Sequence, residues 1–464
     1  MSQPSSHRLL IALVLLVGAC AAHQGGNADD DGGDDDGPVD ACPCPDGNGG
    51  GGDGGGGPDG GGGGGDGGNA GCDDSGAGAG QPFGNHAGSY AAGSIRPNHQ
   101  SQTDLDDSVR DFYDGWKARY LKQGCGTGRY YVDFGANDRR TVSEAHGYGM
   151  LILAYMAGHD PQARTLFDGM FRYFEDHQSE ITPGLMAWSQ DEACNNNDGA
   201  NSASDGDLDI AYALLLADKQ WGSAGGVDYR AEAEHVIDGI RAGDVDNGGN
   251  YVLLGDWVDG PYADATRSSD FMPTHLVSFG AATGDADWDR VLDRTYTIMD
   301  TLQTGFAAQT GLLPDFIQSP LSNPRPAPAG FLENPSDGQY SYNACRDPWR
   351  ITLGFLVNGD ARARTIARRM NTWIQATTGG NPDNILPGYR LDGGSLGRDY
   401  FDNAFVAPFG VAAMADASNQ AWLNTLWDAV VANADGGYYA DTIGLLSLIA
   451  MSGNWWSPES AACP

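Results

Sequence analysis

Apolar residues recur at helical spacing in one segment after another from about Tyr90 to the end of the chain, and this constrains the fold more than any other feature. Leu208, Ala211, Tyr212, Leu215 and Leu216 show the pattern. Helices are read near 104–122, 143–158, 160–178, 205–221, 229–242, 270–283, 286–305, 346–357, 360–378, 401–415, 419–433 and 439–452. Start signals include Ser143 with Glu144 in the first turn, Ser204-Asp205, and Asp160-Pro161 with proline at the first helical position. Gly158, Gly222, Gly284 and Gly359 are the matching stops. Twelve helices with mostly short turns make six helical hairpins, the count of an all-α (α/α)6 barrel. Two connections, 179–204 and 306–345, are long, and long connections in a compact domain usually carry function.

The first part of the chain cannot join that core. Residues 24–80 hold 26 Gly and 13 Asp with no Lys, Arg or Glu, too little apolar surface to offset the entropy of ordering. They read as a self-repelling linker, since the periodic apolar residue of a calcium-binding β-helix repeat is missing. Ahead of them, Arg8 precedes the apolar run Leu9–Val17, and Leu16-Val17-Gly18-Ala19-Cys20 resembles a bacterial lipobox. That reading divides the chain into a lipoprotein-type signal peptide (1–20, lipidation at Cys20), a disordered linker (21–88) and a catalytic domain (89–464). It places the protein in the cell envelope, as an outer-membrane or cell-surface lipoprotein, or else secreted.

With 62 acidic against 26 basic residues and a net charge of −36, the chain lacks the clustered Lys/Arg that nucleic acid or anionic lipid would need. Membrane association is therefore expected only through the lipid, and the protein is expected to be a monomer. No metal or other cofactor is expected. Cys42-Pro43-Cys44 has no second ligand pair at zinc spacing. Asp205-Gly206-Asp207-Leu208-Asp209 imitates an EF-hand start, but Ile210 and Leu216 occupy the places of its Gly and Glu. Four body cysteines (125, 194, 345 and 463) allow three pairings, among which sequence cannot choose.

Three acidic clusters suggest chemistry. Thr141–Met150 places Glu144 in the first turn of an otherwise apolar helix; Ala203–Ala211 alternates three aspartates; Phe331–Arg350 carries Glu333, Asn343, Arg346 and Arg350. Taken singly, each has an ordinary explanation in helix capping or ion pairing. Together they resemble glycoside hydrolase family 8, from roughly Leu105 to Pro458. The resemblance rests on Ser143-Glu144 with Gly147-Tyr148-Gly149-Met150, on ASDGDLDIAYALLLADKQW from Ala203 to Trp221, on Ser269-Asp270-Phe271-Met272-Pro273, and on Met451–Trp456. Ala145-His146 departs from the usual pattern.

The resemblance implies an (α/α)6 barrel and endo-acting hydrolysis of a β-1,4-linked glycan with inversion, which needs one carboxyl to protonate the leaving oxygen and another to activate water. It implies Glu144 as general acid and Asp205 as the residue that holds and distorts the central sugar. One branch of the family carries an Asp base where this chain has Asn343, and an amide cannot take a proton from water. The other branch uses a Glu on the preceding loop, which implies Glu333, with Asp337 and Asp315 as alternatives. Tyr148, Trp188, Trp257, Tyr340, Tyr342 and Trp349 are candidates for stacking on sugar faces, and Arg346 for supporting a carboxylate or the substrate. The expected polysaccharide is chitosan, mixed-linkage β-glucan or cellulose. The alternatives are an exo-acting xylan-oligosaccharide hydrolase, or a non-catalytic glycan-binding surface lipoprotein.

Overall fold

The computed structural model describes residues 79–460 apart from 87, 137 and 435. Cys20, the apolar N-terminal run, most of the Gly/Asp-rich segment and Cys463 therefore lie outside the described residues. Twelve α-helices are found among those described: α1 (Gln102–Tyr120), α2 (Ser143–Tyr155), α3 (Ala163–Asp176), α4 (Ser204–Trp221), α5 (Tyr229–Gly243), α6 (Pro273–Thr283), α7 (Asp287–Gly305), α8 (Asp347–Leu356), α9 (Ala361–Thr378), α10 (Asn403–Ala413), α11 (Gln420–Ala432) and α12 (Tyr438–Met451).

They fall into two classes by burial. In α2 every residue but Glu144 is buried, α8 and α10 are buried throughout, and α12 is buried except at Tyr439. A helix apolar on all sides must have neighbours on all sides. By contrast α1 buries one stripe, Leu105, Val109, Phe112, Tyr113 and Trp116. The even-numbered helices form the inner ring, α2 on α4, α4 on α6, α6 on α8, α8 on α10, α10 on α12, and α12 back on α2. The odd-numbered helices pack outside, which completes the (α/α)6 barrel.

The connections are asymmetric. Inner-to-outer links are short, as between Thr283 and Asp287. Outer-to-inner links are long except the one between Ala432 and Tyr438, and they gather at the N-terminal ends of the inner helices. Besides the two long links expected, 244–272 and 379–402 are also extended. They carry the short antiparallel pairings. Thr141 and Val142 face Gln190 and Ser189, while a three-stranded sheet joins Ala265–Arg267, Phe316–Gln318 and Arg325–Pro326. Helix α3 begins at Ala163 rather than at Pro161, because the Asp160 carboxylate is held by Tyr113 and Lys117 and closes its own turn onto the Gln162 N–H.

The opposite end is closed by a strap. Residues 80–86 and 88, assigned to the linker by composition, are packed. Backbone N–H groups of Gly80, Phe83, Ala91 and Ile95 donate to Gln220, Ala157, Leu356 and Met414, and the Tyr90 hydroxyl donates to Ala450. These carbonyls stand at the C-terminal ends of α4, α2, α8, α10 and α12, where an α-helix leaves acceptors unsatisfied.

Of the cysteines, Cys125 and Cys194 form a disulfide, and Cys345 is a buried free thiol.

Candidate active site

The site forms where the inner helices begin. Helices α2 and α4 cross unusually closely there. A Cβ on Gly147 would lie 2.7 Å from the Asp209 Cβ, and one on Gly206 would lie 2.5 Å from the Ser143 Oγ. Only glycine permits that approach. It brings Glu144, in the first turn of α2, beside Asp205, in the first turn of α4. Ala145 is buried, and His146 faces away from the site, bonding the Met170 carbonyl and stacking on Tyr173.

Arg346, fully buried at the entry to α8, links these carboxylates. Its Nη1 donates to Glu144 Oε2 at 2.6 Å, to Asp205 Oδ2 at 2.8 Å and to the Tyr148 hydroxyl at 3.1 Å. Its Nη2 donates to Asn343 Oδ1 at 3.0 Å, which fixes the amide so that Asn343 Nδ2 donates to Glu333 Oε2 at 2.9 Å. Glu144 and Glu333 are thus joined through an arginine and an amide and do not touch each other.

Burial raises both, and different neighbours oppose it most. Burial pushes Glu144 up to about 7, and the Asp205 charge adds to this against the pull of Arg346. The Tyr438 hydroxyl donates to its other oxygen at 3.2 Å. Burial also raises Glu333, opposed by Arg267 and by the Asn343 hydrogen bond. Asp205 stays ionised: burial works against its charge, but Arg267 and Arg346, one at each oxygen, hold it below the usual carboxylate range.

The two other acids considered beside Glu333 are occupied in shaping its loop. Asp337 accepts the backbone N–H groups of Leu332, Glu333 and Asn334. Asp315 accepts those of Ser341 and Ala344. The same loop is pinned by Phe331, which packs against Tyr262 and Phe316.

The aromatic candidates divide. Trp188 and Trp257 are half-buried on the long connections. Trp188 is carried by the β-bridge beside α2, its carbonyl accepting the Ser143 N–H, with Arg139 stacked on its ring at 4.7 Å. The Cys125–Cys194 disulfide holds this loop to the turn after α1. Tyr342 is half-buried, hydrogen-bonded to the exposed Tyr400 at 2.6 Å. Three rings expected to face sugar do not. Tyr340 is wholly buried against Phe405 and Phe409; Trp349 is wholly buried between Tyr148 and Trp455; and Tyr148 offers only its hydroxyl, to Arg346.

Sequence reasoning missed Arg267, Asp270 and Tyr438. Arg267 stands two residues before the Ser269–Pro273 motif, the one local signal that could have drawn attention to it. Behind the site, Arg350 forks onto Asp209 at 2.7 and 2.6 Å, with His275 on the same carboxylate. Asp207 and Asp244, both fully buried, hydrogen-bond one another. Their outer oxygens accept from the Met186 N–H and the Ser202 hydroxyl, each at 2.7 Å. Such a pair must hold a proton, and burial raises both, Asp244 to about 8.

Residues 104–453 match the family model "Glycosyl hydrolases family 8". A beta-glucanase of Niallia circulans is 49% identical over 378 residues, covering 81% of this chain and 91% of its own length. An endoglucanase of Bacillus sp. strain KSM-330 is 40% identical over 377 residues, covering 79% and 80%. The apo structure of a beta-1,3-1,4-glucanase from Paenibacillus sp. X4 superposes with a TM-score of 0.80 at 49% identity, covering 82% of this chain and all of that one. A cold-adapted family 8 xylanase shares the fold at 18% identity, with a TM-score of 0.65 over 82% of this chain and all of its own. The chain is a glycoside hydrolase and belongs to glycosyl hydrolase family 8.

Proposed function

We propose that this enzyme cleaves internal β-1,4 bonds of mixed-linkage β-glucan with inversion. Glu144 protonates the leaving oxygen, Glu333 takes the proton of the attacking water, and ionised Asp205 holds and distorts the central sugar. The observation that carries this reading is the series Glu144–Arg346–Asn343–Glu333, which holds two carboxyl groups apart on either side of an arginine and an amide. Inverting hydrolysis needs a separated pair with room for water between the base and the sugar. Glu144, raised to about 7, keeps its proton in weakly acidic solution. Of the rings expected to stack on sugars, Trp188, Trp257 and Tyr342 are left open enough to do so.

The relatives named glucanase and endoglucanase favour glucan among the substrates considered. Reducing-sugar release and product sizes on barley β-glucan, carboxymethylcellulose, chitosan and xylan test this. Oligosaccharides of mixed length from β-glucan, with a rapid fall in viscosity, support the proposal. Faster cleavage of chitosan or single-unit release from xylan oligosaccharides overturns it.

Leu16–Cys20 supports export and anchoring at the cell envelope through a lipid on Cys20. Loss of detergent-phase partitioning in Cys20→Ser, with specific activity kept, is the expected result. Partitioning that survives the substitution rejects the anchor.

A further inference from the structure

Trp188 is anchored beside the acid. Its carbonyl accepts the Ser143 N–H at 2.9 Å, one residue before Glu144, and its own N–H donates to the Asn201 carbonyl at 2.8 Å. The indole is held on two sides. Its Nε1 donates to the Asp198 carbonyl at 3.1 Å, and the guanidinium of buried Arg139 lies over one face, 4.7 Å from the ring centre. Arg139 in turn donates from Nε and Nη2 to Asp198 Oδ2, at 3.1 and 2.9 Å. Asp198 therefore holds the ring twice, directly through its backbone and indirectly through its carboxylate. Its backbone lies in the left-handed region, with φ 52°, a conformation that Asp and Asn tolerate better than most residues. Four residues earlier, Cys194 is tied to Cys125. Because Arg139 is buried, the face it covers is closed. The exposure left to the half-buried indole is on its other face and its edge.

We propose that Arg139 is a positioning residue for substrate binding: braced by Asp198, it fixes the Trp188 indole so that the free face meets a sugar ring of the glycan passing Glu144. The inference rests on Trp188 being one of the rings that stack on sugar. A ring left free to rotate on a long connection must be ordered when sugar binds, and that entropy is lost from the affinity. A ring already stacked on one face and hydrogen-bonded at its Nε1 has one orientation before the sugar arrives. Arginine suits the task because its guanidinium is planar, so it lies flat on an indole while its edge pairs with a carboxylate. An ion pair that merely tied down the loop would need neither the burial of Arg139 nor its place over the ring. Arg139 touches the ring rather than the reacting groups, so its contribution is to holding substrate and not to proton transfer.

The test is a double-mutant cycle read as kcat and KM on barley β-glucan. Arg139→Met should raise KM by about 2- to 30-fold, the worth of a cation–π contact, while kcat changes much less. Arg139→Lys keeps the cation without the flat guanidinium and should give a KM between parent and Arg139→Met. Asp198→Asn keeps the left-handed backbone and the carbonyl that receives the indole, loosens only the brace on Arg139, and should raise KM in the same direction. In a Trp188→Ala background, Arg139→Met should raise KM no further, because the ring through which it acts is gone. Effects that add in the double variant overturn the proposal, as does a fall in kcat with KM unmoved. If Arg139→Met fails to fold, the same cycle with Asp198→Asn decides. Trp188→Ala alone separates the two claims. An unchanged KM there refutes Trp188 as a sugar platform, and the role of Arg139 falls with it. A raised KM there, beside an unmoved KM in Arg139→Met, refutes only the role of Arg139.

Discussion

Asp244→Asn should make the enzyme more stable as the pH rises. In the parent, Asp207 and Asp244 share a proton in a site with no access to water, and Asp244 is raised to about 8. In the unfolded chain an aspartate loses its proton near 3.9. Between those two values the folded state binds a proton that the unfolded state does not, so unfolding becomes easier as the pH rises. The slope for one proton is about 1.4 kcal/mol per pH unit. From pH 5 to pH 7 the pair thus costs the parent about 2.7 kcal/mol of stability.

An asparagine at 244 carries its own donor. Its Nδ2 can give to Asp207 what the shared proton gave, while its carbonyl still accepts from the Ser202 hydroxyl. Urea denaturation of parent and variant at pH 5, 6 and 7 measures the difference. The gap should open by about 1.4 kcal/mol per unit in favour of Asp244→Asn. Stability curves that stay parallel across this range would refute the shared proton. An advantage that shrinks with rising pH would refute the sign of the argument.

Three further outcomes are expected. Glu333→Ala should lose nearly all turnover on polysaccharide, and sodium azide should restore part of it, giving a glycosyl azide of inverted configuration by NMR; Asp337→Asn and Asp315→Asn should instead lose thermal stability and retain more activity, as both hold backbone N–H groups. Glu144→Gln should lower turnover by about 10²–10⁴ and remove the decline in rate that the parent shows above about pH 7. Arg350→Met should destabilise the fold by about 3–5 kcal/mol in chemical denaturation, because it leaves the Asp209 carboxylate buried with only His275, and adding Asp209→Leu should recover much of that loss.

The inner helices were legible because they are apolar on every side, and Glu144 and Asp205 because acids are conspicuous in such helices. The pairing of Glu333 with Asn343 was legible only through family resemblance. Nothing local says that a proline- and glycine-rich loop folds its glutamate back onto an amide. Orientation within a helix was harder. Trp349 and Tyr340 sit among site residues in the sequence, yet the turn into α8 directs both into the core. Arg267 went unnoticed because its partners lie on other elements, Asp205 at the start of α4 among them, and no periodicity links them. The strap escaped for a different reason. Glycine-rich composition predicts entropy cost, but not the carbonyls of distant helix ends that offset it.

That strap also orders events during synthesis. Gly80 bonds a residue 140 positions later, and Gly84 reaches Asn454 across 370. The earliest packed segment therefore finds its last partners only after α12 has left the ribosome. Until then the inner ring has an open seam between α12 and α2, and apolar helices such as α2 and α10 stand without their neighbours. Contacts of such long range are slow to form. A nascent chain of this kind exposes its stickiest surfaces for longest, and would gain most from being held unfolded by a chaperone until the whole body is available.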